Sequence, residues 1–375
     1  MIKRQIEDVI FQRLFKGKAI IIFGSRQTGK TTLLKAIAER YNDEYLWLNG
    51  DIEDVHLMFN NTSPAQLKRI IGKNKLVFID EAQRIKNIGL LIKMIVDELK
   101  DIQVIATGSS AFELANEISE PLTGRKYEYF LYPLSYQELE QHFGMLDEKR
   151  LLEHRLIYGS YPETIMKIGE EKETLNLISN SYLYKDLFTY EKIKKPTLLK
   201  KLLQALALQI GSEVSYNELA QLIGADKATI EKYIDLLEKT FVIFKLSALS
   251  RNVRNEIKRG KKIYFYDNGI RNSLIANYTL LDQRTDKGSL WENYFISERI
   301  KFINYNNYYS NIYFWRTTRQ QEIDYIEERD GILHAFEIKW NIKKKVKFSK
   351  TFTEAYQNSE TTVINPDNYE KYLTL

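Results

Sequence analysis

Residues 24–31 read GSRQTGKT; the apolar run Ala19-Ile20-Ile21-Ile22-Phe23 leads into them, and a helical pattern (Thr32, Leu33, Leu34, Ala36, Ile37, Ala38) leads away. Strand, glycine-bracketed turn and helix together form a phosphate-binding loop. Gly24 and Gly29 admit backbone geometry that a Cβ obstructs, so N–H groups from Gly24 through Ser25, Arg26, Gln27, Thr28 and Gly29 to Thr32 can converge on one anion. Lys30 adds a mobile charge for β- and γ-phosphates, Thr31 offers a hydroxyl to Mg²⁺, and the helix directs its positive end at the same place.

The chain around this loop has 375 residues, enough for two to four units. With 44% hydrophobic and 28% charged residues it reads as globular, and no apolar stretch approaches the roughly 18 residues that span a bilayer. Its first residues, MIKRQIEDVIFQRLF, mix acids and bases in an amphipathic pattern, unlike a secretory signal, so a cytoplasmic protein without a membrane partner is expected. The absence of cysteine excludes disulfides, thiolate zinc sites and cysteine nucleophiles, and the 4 histidines have no ligand spacing. A net charge of +5 is too small to argue nucleic-acid binding, so only local clusters bear on it. The 25 tyrosines read as packing residues.

Further strands follow the loop. Tyr45–Leu48 ends at Asn49, Gly50 and Asp51, and Leu76–Ile79 runs straight into Asp80 and Glu81. A continuously apolar strand carrying carboxylates at its carboxyl end places them where open α/β sheets bind ligands. Asp80 is expected to hold Mg²⁺, and Glu81 to polarise the water that attacks the γ-phosphate. Ile102–Ala106 ends in Thr107, Gly108, Ser109 and Ser110, hydroxyls that either contact the γ-phosphate or cap a helix starting near Ala111. Arg125, in Leu122-Thr123-Gly124-Arg125 before a strand at Tyr127–Leu131, is either a solvated arginine or a finger supplied to a neighbouring subunit, which would require a homo-oligomer.

In this order RQTGKTTLL, FIDEAQ, ATGSS, LTGR, YPLSYQEL and YGSYPE resemble the AAA-type ATPases of bacteria and archaea that carry a C-terminal domain similar to restriction nucleases. The resemblance implies ATP and Mg²⁺ as cofactors. It gives Lys30, Thr31, Asp80 and Glu81 the Walker roles, Ser109 or Ser110 the sensor role, and makes Arg125 the finger candidate. The fold class expected is α/β multidomain: a doubly wound parallel P-loop sheet at 1–135, a helical lid-like region at 136–195, a winged helix at 196–286 and a restriction-nuclease-like α/β domain at 287–375.

Residues 136–195 have helical periodicity broken at Gly159-Ser160-Tyr161-Pro162, and are expected to pack on the nucleotide domain. Beyond Pro196 come a helix, the capping pattern Ser215-Tyr216-Asn217-Glu218, a turn at Gly224, a helix near 227–239 and the strand Phe241–Phe244. Read as a winged helix, Lys227, Thr229 and Lys232 face a DNA groove. Arg251, Arg254, Lys258, Arg259, Lys261 and Lys262 then form a basic wing opposed only by Glu256. The same arrangement also serves as a protein-docking module.

Near the C-terminus, strands at 322–328 and 332–340 flank Asp330-Gly331, the dipeptide favoured in two-residue hairpins. That turn sets Arg329 opposite Ile332 and, counting back, Tyr325 opposite Phe336, Asp324 opposite Glu337 and Glu322 opposite Lys339. Facing carboxylates are unfavourable unless a cation lies between them, which favours a divalent metal. Asp324, Glu337 and Lys339 match the D…E-x-K pattern of PD-(D/E)xK nucleases, which this segment resembles. The likeness implies that the carboxylates hold Mg²⁺ or Mn²⁺, that Lys339 activates water, and that Glu292 is the additional acid. A Glu322–Lys339 salt bridge explains part of the pattern without chemistry. Lys343, Lys344, Lys345, Lys347 and Lys350 offer either a phosphate track or a solvated face. The sequence thus supports an ATPase coupled to DNA binding or processing, or an ATP-driven switch whose later domains bind a protein or DNA without cleaving it.

Overall fold

The computed structural model describes residues 1–41, 44–59, 62–109, 118, 120–183, 196–250, 260–343 and 346–375. It divides into two compact units, Met1–Tyr132 with Lys239–Phe241, and Pro133–Glu238 with Val242–Leu375.

In the first unit an amphipathic helix, α1 (Gln5–Arg13), buries Ile6 and Ile10. Five parallel strands follow: β1 (Ala19–Phe23), β2 (Tyr45–Asn49), β3 (Leu76–Asp80), β4 (Gln103–Gly108) and β5 (Lys126–Phe130), in the order β2-β3-β4-β1-β5. Every residue of β1, β3 and β4 is buried, which is why these strands read as unbroken apolar runs. Helix α2 (Lys30–Tyr41) starts inside the phosphate loop and buries Leu33, Leu34, Ile37 and Ala38. Because all five strands run the same way, the carboxyl ends of β1, β3 and β4 bring Gly24, Asp80 and Ser109 to one edge.

The second unit contains one mixed seven-stranded sheet: β6 (Glu213–Val214), β7 (Ile243–Ala248), β8 (Lys261–Phe265), β9 (Asn311–Arg316), β10 (Glu322–Arg329), β11 (Ile332–Ile338) and β12 (Ser359–Ile364), ordered β12-β11-β10-β9-β7-β8-β6. Where separate segments at 136–195, 196–286 and 287–375 were expected, the sheet runs through the last two. Ser247 and Ala248 of β7 pair in parallel with Tyr313 and Phe314 of β9. The helices expected as a lid contribute Tyr136, Leu156 and Leu175 to the same core as Ile234, Phe265, Trp291, Tyr325 and Ile364. Their apolar face is therefore covered within the second unit; periodicity reveals such a face without identifying its partner.

Residues 196–265 form a helix at Pro196–Leu208, β6, a helix at Tyr216–Ile223, a helix at Lys227–Lys239 and the antiparallel pair β7–β8. Ser215 caps the second of these helices by accepting from Glu218 N at 3.3 Å, and Gly224 ends it in the left-handed region at φ 72°. The 19-residue helix Lys287–Tyr305 is buried along almost its whole length.

The β10–β11 hairpin turns at Asp330 and Gly331, with φ values of 52° and 77°, and pairs Arg329 with Ile332 and Tyr325 with Phe336. Beyond Tyr325 a bulge against β9 lies between Ile323 and Ile326. Asp324 then accepts the Ile338 N–H through Oδ2 at 2.7 Å, so a carboxylate takes the place of a ladder carbonyl.

Candidate nucleotide site and carboxylate centre

The nucleotide loop is held from three sides. A Cβ on Gly24 would collide with the Leu131 carbonyl, and Gly29 has φ 93°; those two constraints account for the two glycines. Thr28 Oγ1 donates to Ser25 O at 2.8 Å, and Lys30 Nζ donates to Gly24 O at 2.8 Å and Ser25 O at 3.0 Å. Arg4, which has no sequence motif to mark it, is buried and donates to Thr28 O at 2.6 Å and Tyr132 O at 2.7 Å.

Asp80 is the hub. Its Oδ2 accepts from Thr31 Oγ1 at 2.7 Å and its Oδ1 from Thr107 Oγ1 at 2.5 Å. These oxygens are the donor type that Mg²⁺ accepts, and Thr31 and Asp80 are the residues that would hold it. Glu81 follows in the left-handed region at φ 52°, with its N–H donating to Thr107 Oγ1 at 3.2 Å. Gln83 donates through Nε2 to Glu81 Oε2 at 2.6 Å and to Ser109 Oγ at 3.0 Å. The structure thus brings Lys30, Thr31, Asp80, Glu81 and Ser109 together and adds Thr107 and Gln83. Ser110 lies outside the described residues.

Arg125 is not in this site. It precedes the amino end of β5, where its carbonyl accepts from Ala19 N at 2.9 Å, at the sheet edge opposite the phosphate loop. Its Nε donates to Asp97 Oδ1 at 2.6 Å.

In the second unit, acids and lysines alternate. Lys339 Nζ lies 2.7 Å from Asp324 Oδ2 and 2.7 Å from Glu337 Oε2, so the cation between the facing carboxylates is an ammonium of the chain itself. Burial and the neighbouring Asp324 push the Glu337 carboxyl up. Burial works against the Lys339 charge, but Asp324 and Glu337 outweigh it and hold its pKa above the usual lysine range. Glu322 pairs with Lys262, and Arg316 stands 3.9 Å away, so the expected Glu322–Lys339 bridge is replaced by one to another strand. Glu292 accepts from Tyr264 OH at 2.5 Å and lies 3.3 Å from Lys262 Nζ; burial raises its carboxyl to about 7. Among the described residues, no three His, Cys, Asp or Glu side chains converge to hold a metal ion.

Lys262 is therefore turned inward, contrary to its expected place on a basic wing. Strand alternation puts Lys262 and Tyr264 on one face, and both meet Glu292. Arg251, Arg254, Glu256, Lys258 and Arg259 lie outside the described residues, as do Lys344 and Lys345. Lys343, Lys347 and Lys350 are exposed. Asp226 caps the helix Lys227–Lys239, its carboxylate accepting from the Thr229 N–H and Oγ1 at 2.8 Å each, so Thr229 is turned to its own helix end, while Lys227 is exposed 3.6 Å from Glu231. Among the described residues no helix is long and apolar enough to cross a membrane.

Residues 16–140 match a family described as an AAA domain; residues 149–281 and 287–373 match two domains of unknown function, DUF8612 and DUF4143. An uncharacterized protein of Haemophilus influenzae is 27% identical over 290 residues, 69% of this chain and 70% of that protein. An uncharacterized protein of Mycobacterium tuberculosis is 24% identical over 331 residues, 87% of this chain and 71% of that one. The replication factor C large subunit of Pyrococcus abyssi is 30% identical over 122 residues, which cover 32% of this chain and 25% of that protein. A solved Pif1 helicase from Candida albicans aligns over 48% of each chain at 15% identity with a TM-score of 0.28, too low to bear on the fold. Together with the geometry of Lys30, Thr31, Asp80 and Glu81, the match over residues 16–140 supports an AAA-type P-loop ATPase domain in that segment.

Proposed function

We propose that this chain hydrolyses ATP with Mg²⁺ and couples the cycle to DNA binding or processing by its second unit. The observation that carries the ATPase reading is Asp80, held between Thr31 and Thr107 beside a Glu81 fixed by Gln83. In this reading Lys30 exchanges its loop carbonyls for the β- and γ-phosphates, Glu81 takes the proton of the attacking water and Ser109 contacts the γ-phosphate. When bound, Mg²⁺ neutralises charge on the phosphates. Arg125, on the far edge of its own sheet, serves a neighbouring copy, so the active form is a homo-oligomer.

DNA as the partner is supported by the helix–turn–helix and β-pair order of 196–265, read as a winged helix. The basic residues Arg251, Arg254, Lys258 and Arg259, the exposed Lys343, Lys347 and Lys350, and the likeness of the AAA segment to a replication factor C large subunit point the same way. Asp324 and Glu337 offer oxygen donors suited to Mg²⁺ or Mn²⁺, with Lys339 as the group that supports attack on a phosphodiester. A divalent ion there has to displace Lys339 from between them. That same occupancy favours a second reading, an ATP-driven switch whose second unit binds DNA or protein without cutting.

Cleavage of plasmid and single-stranded DNA, with Mg²⁺ or Mn²⁺ and with or without ATP, separates the two readings. Cutting that disappears in Asp324→Ala establishes the nuclease, and Lys30→Ala shows whether ATP gates it. Intact DNA under every condition leaves the switch.

A further inference from the structure

Lys262 is the least expected member of the carboxylate centre. It sits on β8, next to the 251–259 segment in sequence, yet its side chain is only 2% exposed. Its ammonium contacts Glu322, lies 3.3 Å from Glu292 Oε1 and stands over the Phe314 ring, with Nζ 5.6 Å from the centroid. Tyr264, two residues on and on the same strand face, donates to that same Glu292 oxygen at 2.5 Å. The centre thus divides into two halves: Lys262 with Glu292 and Glu322, and Lys339 with Asp324 and Glu337.

The halves differ in how easily the lysine leaves. Lys339 is 23% exposed, so its ammonium can turn toward water when a divalent ion takes its place between the carboxylates. Lys262 is walled in by Phe314 and the neighbouring strands. A divalent ion bound at Glu292 and Glu322 would leave that buried ammonium without its partners and without a route to water.

We infer that Lys262 is a resident cation that reserves Glu292 and Glu322, confining any divalent ion to the Asp324/Glu337 half and excluding Glu292 from the ligand set. Lys262 is a positioning residue, acting through the two acids it holds. The inference rests on the reading of Asp324 and Glu337 as metal ligands for its wild-type arm, and stands apart from that reading in its variant arm.

The test counts Mn²⁺ bound per chain, by titration followed by electron paramagnetic resonance, in nucleotide-free full-length protein. Every arm carries Asp80→Asn so that the nucleotide site takes up none. Otherwise unaltered protein is expected to bind one ion, Asp324→Asn none, and Glu292→Gln one ion with affinity within about twofold of the parent. Lys262→Met is expected to gain a second ion that the added Glu292→Gln removes; Lys262→Gln, which keeps a donor for Glu322, replaces it where the methionine variant does not fold. Tenfold weaker Mn²⁺ binding in Glu292→Gln, or a folded Lys262 variant with no additional ion, overturns the inference. A parent that binds no Mn²⁺ while Lys262→Met binds one upholds it and discards the metal role of Asp324 and Glu337.

Discussion

Gln83 holds Glu81: its Nε2 donates to Glu81 Oε2 at 2.6 Å and, with its other hydrogen, reaches Ser109 Oγ at 3.0 Å. One amide thus ties the acid at the end of β3 to the hydroxyl at the end of β4. A hydrogen bond to a charged group contributes roughly 1.5–3 kcal/mol, or about one to two decades in rate if it acts in the transition state. Gln83→Leu is therefore expected to lower kcat for ATP hydrolysis by about tenfold or more while nucleotide affinity stays near wild type. Equilibrium binding of a fluorescent ATP analogue beside steady-state turnover reads both, and an unchanged kcat rejects the role.

Arg125 stands at the wrong edge of its own sheet to touch a nucleotide there. Acting on a neighbour, it predicts that Arg125→Ala cuts turnover while ATP binding persists. Mixing Arg125→Ala with Glu81→Gln should restore activity, because one chain supplies the arginine and the other the acid. Full turnover by a monomeric Arg125→Ala protein contradicts the trans role.

Asp286 gives the second unit a pH signature. Burial raises its carboxyl, but Arg284, bonding both oxygens at 2.8 Å, and Arg271 at 2.6 Å outweigh this and bring it from 3.8 down to about 2. A folded-state value below the unfolded one means the contribution is complete above about pH 4 and is lost as pH falls toward 2. Asp286→Asn is expected to cost on the order of 2 kcal/mol at pH 7, a gap that narrows steadily below pH 4. Urea unfolding across that range measures it, and a pH-independent gap contradicts the assignment.

The first sheet was legible because its strands are buried on both faces and therefore read as apolar runs: Leu76–Ile79 was expected and Leu76–Asp80 is found. The hairpin register was legible because Asp330-Gly331 admits one tight turn, and Tyr325 faces Phe336 as counted. What followed Tyr325 was not, since a bulge lets the Asp324 side chain take the Ile338 N–H. The junction of β7 with β9 rests on backbone pairing at Ser247–Tyr313 and Ala248–Phe314, between distant segments and without a side-chain pattern to signal it. Lys262 could have been placed: in Lys-Lys-Ile-Tyr-Phe, alternation sets it with Tyr264 and apart from Lys261, but adjacent lysines suggest a solvated face.

The ATPase claim is tested most directly by the rate of ATP hydrolysis with Mg²⁺ and with EDTA, alone and with duplex or single-stranded DNA, for wild type, Lys30→Ala and Glu81→Gln. Mg²⁺-dependent turnover that rises with DNA is expected. Lys30→Ala should abolish it through nucleotide affinity, and Glu81→Gln should lower it by about 10²–10⁴ with binding retained. Turnover that survives both substitutions, or its absence from wild type with Mg²⁺ and DNA present, would contradict it.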